Sequence, residues 1–154
     1  MSPRPLEGAN AILLSGGPGS AWAALWAART MPGNLVGVFF DHGQEGAEEA
    51  VQATQYVALR LAITLLRFDM TPVKDGKQEA FIREVAAMGA VRAILGTTSI
   101  LGPFGALWLR ETAVAYGIVV ACPSAWRIGW QRDRELIAAG IFPARLADIP
   151  QSRQ

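Results

Sequence analysis

Short apolar runs alternate along this chain with longer stretches in which apolar side chains recur at helical spacing. Residues 11–14, 35–40, 63–68, 91–95 and 118–122 are the short runs, rich in aliphatic and aromatic side chains, and they predict strands. The stretches after them predict helices over 20–29, 47–61, 77–88 and 105–116, with a last helix over 133–139. Glu48 and Glu49 lie early in the second of these stretches and Glu45 just ahead of it, as suits the positive end of a helix dipole. A polar turn is expected over 71–76 and a loop over 96–103. Strands separated by helices predict βαβ units. The expected fold is therefore α/β: an open, mostly parallel five-stranded sheet with helices on both faces, of Rossmann type. Such sheets bind ligands beyond the carboxyl ends of their strands. That rule gathers the loops at 15–20, 41–44 and 96–99 on one edge.

Composition limits the range of functions. A chain of 154 residues, 51% of them apolar, suffices for one compact domain and is far from a disordered composition. A single domain over 1–154 is expected, with residues 1–8 and 151–154 as loose termini. No apolar run approaches the roughly 18 residues of a membrane span, and no leader-like pattern opens the chain, so a cytoplasmic protein without a membrane partner is expected. Cys122 is the only cysteine, which excludes an intramolecular disulfide and a cysteine-based zinc cluster. It sits in an apolar run with no activating partner nearby in sequence, as a buried structural thiol would. The net charge of +1 comes from interspersed acids and bases, so direct binding of nucleic acid is not expected. Arg127, Arg132 and Arg134 are the densest basic cluster, interleaved with Asp133 and Glu135. They suit a solvated helix face or a positive rim for a phosphate-bearing ligand.

The candidate chemistry starts where the first strand ends. Leu13 and Leu14 run into Ser15, Gly16, Gly17, Pro18, Gly19 and Ser20, and a helical stretch follows at once. Glycines let backbone N–H groups converge on one point, and a helix N-terminus adds about half a positive charge there. The loop is neither GxxxxGK[ST] nor GxGxxG, so no lysine reaches a terminal phosphate. The alternative is a tight strand–helix turn with no ligand.

The loop resembles the SGGxDS motif of the PP-loop ATP pyrophosphatases. Ser15, Gly16, Gly17 and Ser20 match that pattern, while Gly19 stands where the family carries aspartate. After the second strand, His42-Gly43-Gln44 is similar to the tyrosine-glycine-glutamine of the 7-cyano-7-deazaguanine synthases. Asp41-His42-Gly43 equally resembles the aspartate-histidine-glycine of the tRNA lysidine synthetases, whose loop is SGGPDS. Ile94-Leu95-Gly96 matches a strand that ends in glycine, but the acid that follows it in the family is absent until Glu111. Cys122-Pro123 through Arg134-Glu135-Leu136-Ile137 resembles the family's proline-leucine and lysine-x-glutamate-isoleucine segment. Asp133 falls at the lysine position, with Arg132 and Arg134 one register away. The four-cysteine zinc site of the deazaguanine synthases is missing. The likeness covers most of the chain in order, through short motifs.

The resemblance implies an adenine nucleotide alpha hydrolase-like fold with ATP or AMP held by Ser15, Gly16, Gly17, Pro18, Gly19, Ser20, Phe39, Phe40, Asp41, Gly96 and Thr97. Mg²⁺ would serve adenylation, yet carboxylates are absent at Gly19 and around Thr98, so its ligands are missing and no metal site is assigned. His42 and Gln44 are the candidate catalytic residues. His42 suits acid–base work or contact with a ligand, and equally a capping or surface role. Asp41 suits ribose or metal, and equally a turn. Gln44 suits a hydrogen bond to base or ribose. Three functions stay open: a nucleotide- or phosphate-binding protein with adenylation lost or altered; an active ATP-dependent ligase or amidating enzyme, acting on a deazapurine or tRNA base and releasing AMP and pyrophosphate; and a non-catalytic interaction subunit. Five tryptophans bear on the last. Trp22 and Trp26, one turn apart beside Leu25, are expected to pack on the sheet. Trp108, Trp126 and Trp130 suit a homodimer surface.

Overall fold

The computed structural model describes residues 4–31, 33–70, 77–96, 102–123 and 129–141. The turn expected at 71–76, Thr97, Thr98 and Ser99 of the fourth loop, Trp126 and Arg127 lie outside the described residues. Strands and helices alternate strictly: β1 (Asn10–Leu13), α1 (Pro18–Thr30), β2 (Leu35–Asp41), α2 (Ala47–Leu61), β3 (Thr64–Asp69), α3 (Lys77–Ala87), β4 (Arg92–Ile94), α4 (Gly102–Ala115), β5 (Val119–Ala121) and α5 (Gly129–Ala138).

The five strands form one sheet in the order β3-β2-β1-β4-β5, and every neighbouring pair is parallel. β1 is therefore central. The chain steps outward through β2 to β3, then crosses back to lay β4 on the other side of β1. Right-handed crossovers place α1 and α2, which step outward one way from β1, on one face, and α3 and α4, which serve the return and the step the other way, on the opposite face. Side chains alternate accordingly along each strand. Ile12, Leu14 and Ile94 pack with α1, Val57 of α2 and Leu136 of α5. Ala11, Val38, Phe40, Ala93 and Val120 pack with Phe81 and Val85 of α3 and Leu109 and Ala113 of α4.

α1 is buried on nearly all sides, and its sequence explains why. Ala21, Ala23, Ala24 and Ala27 are small enough to let the sheet, α2 and α5 approach together, with Trp22 and Leu25 filling the remaining space. β2 makes a matching concession at Gly37. A Cβ there would stand 2.7 Å from the Leu14 Cδ1, so Leu14 packs over β2 at the point where that strand carries no side chain.

Several boundaries differ from the sequence expectation. β1 runs one residue earlier than 11–14, and α1 begins at Pro18 rather than 20, which brings Gly19 and Ser20 into its first turn. Proline suits that position because its φ is already helical and its missing N–H would have had no intrahelical acceptor. α4 and α5 likewise begin ahead of 105 and 133, at Gly102 and Gly129. Residues 4–8, expected to be loose, are tied down. Leu6 is buried and donates its N–H to the Met88 carbonyl, and Gly8 donates to Gly89. Cys122 is buried as expected. Among the described residues, no helix is long and apolar enough to cross a membrane.

Candidate functional site

The carboxyl end of β1 sets the site. Leu14 still donates to the Val38 carbonyl at 2.9 Å, and the chain then turns through Ser15, Gly16 and Gly17 into α1. Gly16 has φ +88°, and a Cβ there would lie 2.9 Å from the Ala50 Cα of α2, so the turn is glycine-only by conformation and by space. Gly17 differs. It is the N-cap residue, with extended φ −96°, and a Cβ there would meet only the Ser15 Oγ, at 3.8 Å.

The end of α1 that faces this turn is electrostatically bare. No side chain caps it, and its first turn holds no acid. Ala21 donates to the Gly17 carbonyl at 3.2 Å, and Pro18 has no N–H. Gly19 and Ser20 thus carry N–H groups without an intrahelical acceptor. The two hydroxyls are turned inward. The Ser20 Oγ accepts from the Ser15 N–H at 3.1 Å and from the Ser15 hydroxyl at 3.2 Å, and donates to the Gly17 carbonyl at 3.2 Å. They brace the turn, and the partial positive charge is left to the backbone.

Gly96, at the end of β4, presses against this first turn. A Cβ at Gly96 would clash with the Gly19 carbonyl and lie 2.6 Å from the Ser20 nitrogen, and a Cβ at Gly19 would lie 2.8 Å from the Gly96 carbonyl. The two glycines close the crevice between β1 and β4, where the strand order reverses. Arg132 of α5 reaches the same place: its Nη1 is 3.6 Å from where a Gly19 Cβ would stand. Its Nε lies 3.7 Å from the Asp133 Oδ1, and both atoms are buried without a hydrogen bond. Arg132 is thus no solvated helix residue, whereas Arg134 is exposed.

Beside the turn, Leu13, Leu14, Ser15, Phe39, Phe40, His42, Gln44, Met70 and Phe81 line a cavity of about 100 Å³. Its wall is aromatic: Phe40 meets Phe81 edge-on at 5.8 Å and lies 6.0 Å from Phe68. The segment after β2 is held by its own side chains. Gln44 accepts from the His42 N–H at 2.9 Å and donates to the Phe40 carbonyl at 3.4 Å. Asp41 accepts the Gly43 N–H at 3.0 Å through Oδ1, and its Oδ2 accepts from Arg67 of β3. The Gly43 N–H, seconded by the Arg67 guanidinium, holds the Asp41 carboxyl below the usual carboxylate range. Both oxygens of Asp41 are therefore engaged, Oδ1 in the turn and Oδ2 with β3.

The structure thus brings Ser15, Phe39, Phe40, His42 and Gln44 around one cavity, beside a turn made by Gly16, Gly17, Pro18, Gly19 and Ser20 and closed by Gly96. Sequence reasoning missed Met70 and Phe81, which reach the cavity from just after β3 and from α3, and Arg67. It named Arg132 without its target. Among the described residues, no group of three or more His, Cys, Asp or Glu could hold a metal ion. A second cavity, of about 200 Å³, lies away from the strand ends between α1 and α5, lined by Trp22, Leu25, Trp26, Arg29, Thr30 and Glu135. Trp22 packs into the core there and donates its indole N–H to Glu135 at 2.8 Å. No family model matches the chain, and no curated protein matches it.

Proposed function

We propose that this chain binds the phosphate of an adenine nucleotide, ATP or AMP, at the turn from β1 into α1, and that it lacks the Mg²⁺-dependent adenylation implied by its resemblance to the PP-loop enzymes. The observation that carries this reading is the bare N-terminus of α1. It is uncapped and free of acids in its first turn, at the carboxyl edge of a parallel sheet, with open space at Gly17. An anion seated there takes the place of the missing cap and acids.

The loss of adenylation rests on Gly19. An aspartate at this position would drive its Cβ into the Gly96 carbonyl, and the room its carboxylate needs is bordered by Arg132. The family's acidic position is thus closed off in this chain by the packing of β4 on α1. Arg132 adds positive charge near the same turn, so phosphate is held without a divalent ion. The aromatic cavity beside Ser15 suits a base edge. At about 100 Å³ it is smaller than the few hundred Å³ that enclose a whole ligand, so it takes only part of one.

Pyrophosphate release separates this reading from an active ligase. Incubation with ATP and Mg²⁺ is expected to release no pyrophosphate above buffer, while AMP still protects the fold against heating. Sustained Mg²⁺-dependent release would overturn the loss of adenylation.

A further inference from the structure

α4 turns Leu109 and Ala113 into the core and holds a second, orderly set of side chains in water. On its outward face, at helical spacing, stand Leu107, Arg110, Glu111 and Val114, all exposed, with Leu107 54% and Val114 76% accessible. Single exposed aliphatics are ordinary. The arrangement of these four is not, because it is symmetric about the midpoint between Arg110 and Glu111. Leu107 and Val114 lie equally far on either side of that point, with the two opposite charges between them.

A two-fold axis through the midpoint, perpendicular to the helix, lays a second α4 antiparallel on the first. Leu107 then covers the partner's Val114, and Arg110 faces the partner's Glu111, each contact made twice. This is the self-complementarity an isologous interface requires. Among the described residues no ion pair joins Arg110 to Glu111 within one chain, whereas adjacent helix residues do pair at Arg83–Glu84 and Arg132–Asp133. The ion pairs within the chain, among the described residues, lie elsewhere, at Arg4–Glu7, Arg67–Asp41, Arg67–Glu48, Arg83–Glu84 and Arg132–Asp133. Trp108, half exposed on the flank of the same face, suits the rim of such a contact.

We propose that the chain forms a homodimer through antiparallel packing of α4 on α4, in the register that sets Arg110 against the partner's Glu111. This surface meets the expected one, built from Trp108, Trp126 and Trp130, at Trp108. Its occupant is a second copy of this chain.

Sedimentation equilibrium of the full chain tests it, using the wild type, Arg110→Glu and the double variant Arg110→Glu/Glu111→Arg. A wild-type monomer–dimer equilibrium is expected. Arg110→Glu places two acids opposite each other twice and is expected to raise the dimer dissociation constant at least about tenfold. The double variant restores opposite charges across the axis and is expected to return dimerisation to near the wild-type level. All these positions are exposed, so the far-ultraviolet circular dichroism and thermal midpoint of each variant should match the wild type. A monomeric wild type overturns the proposal. So does a dimer indifferent to Arg110→Glu, or a double variant that stays as weakened as the single one.

Discussion

Three glycines of the site answer differently to substitution, and the difference separates binding from folding. Gly17 has an extended backbone and free space around its Cβ direction, so Gly17→Asp is expected to leave stability unchanged or raise it by a few tenths of a kcal/mol, as an acid at an N-cap does. The same change fills the anion position with a negative charge. Gly16→Ala and Gly19→Asp have no such freedom. The first puts a side chain at φ +88° against Ala50, and the second collides with the Gly96 carbonyl, so each is expected to destabilise by about 1–3 kcal/mol in urea titration. Gly19→Asp is also expected to gain no Mg²⁺-dependent ATP cleavage. Asp41 gives a pH signature. Its carboxyl is held low in the folded protein by the Gly43 N–H and Arg67, so its contribution is complete above the ordinary carboxylate range. That contribution disappears as the pH falls through the depressed folded value. Wild type should therefore melt above Asp41→Asn at neutral pH, and the gap in thermal midpoints should close in acid. These site residues were legible in sequence because glycine turns after apolar strands carry a local signal. The reach of Arg132 to Gly19 was not, since it depends on how α5 docks on α1.

At the scale of elements, α1 is the keystone, and its attachments predict what loosens it. Trp22 ties α1 to α5 through Glu135, so Trp22→Phe, which keeps most of the ring and loses the N–H, is expected to cost about 1–2 kcal/mol by urea titration. Gly37→Ala, on the strand beneath, is expected to cost about 1–3 kcal/mol, because its methyl meets the Leu14 Cδ1. The five strands and five helices described were readable from short apolar runs alternating with helical stretches and turn signals. What failed were starts. α1 begins at Pro18, where residues of low helix propensity sit in a first turn that does not need their N–H groups, and α4 and α5 are already helical at Gly102 and Gly129. Residues 4–8 were misjudged because Leu6 is a single apolar residue among polar neighbours, and its burial depends on the distant turn at Met88 and Gly89.

The whole molecule is built on a five-stranded parallel sheet whose central strand ends in a glycine turn at the uncapped N-terminus of α1, with Gly19 packed against Gly96. Local patterns carried the fold, whereas the site's chemistry depends on which charges the topology brings to one edge, which no single segment reveals. Ligand binding should stabilise the entire chain, by about 2.7 kcal/mol at a hundred times the dissociation constant. The most direct test of the central claim is calorimetric titration of AMP and ATP, each with and without Mg²⁺, into wild type and Gly17→Asp. Binding to wild type is expected to respond barely to Mg²⁺ and to be lost in Gly17→Asp, whose melting is undiminished. Binding that requires Mg²⁺, binding that survives Gly17→Asp, or no binding to wild type would each contradict that claim.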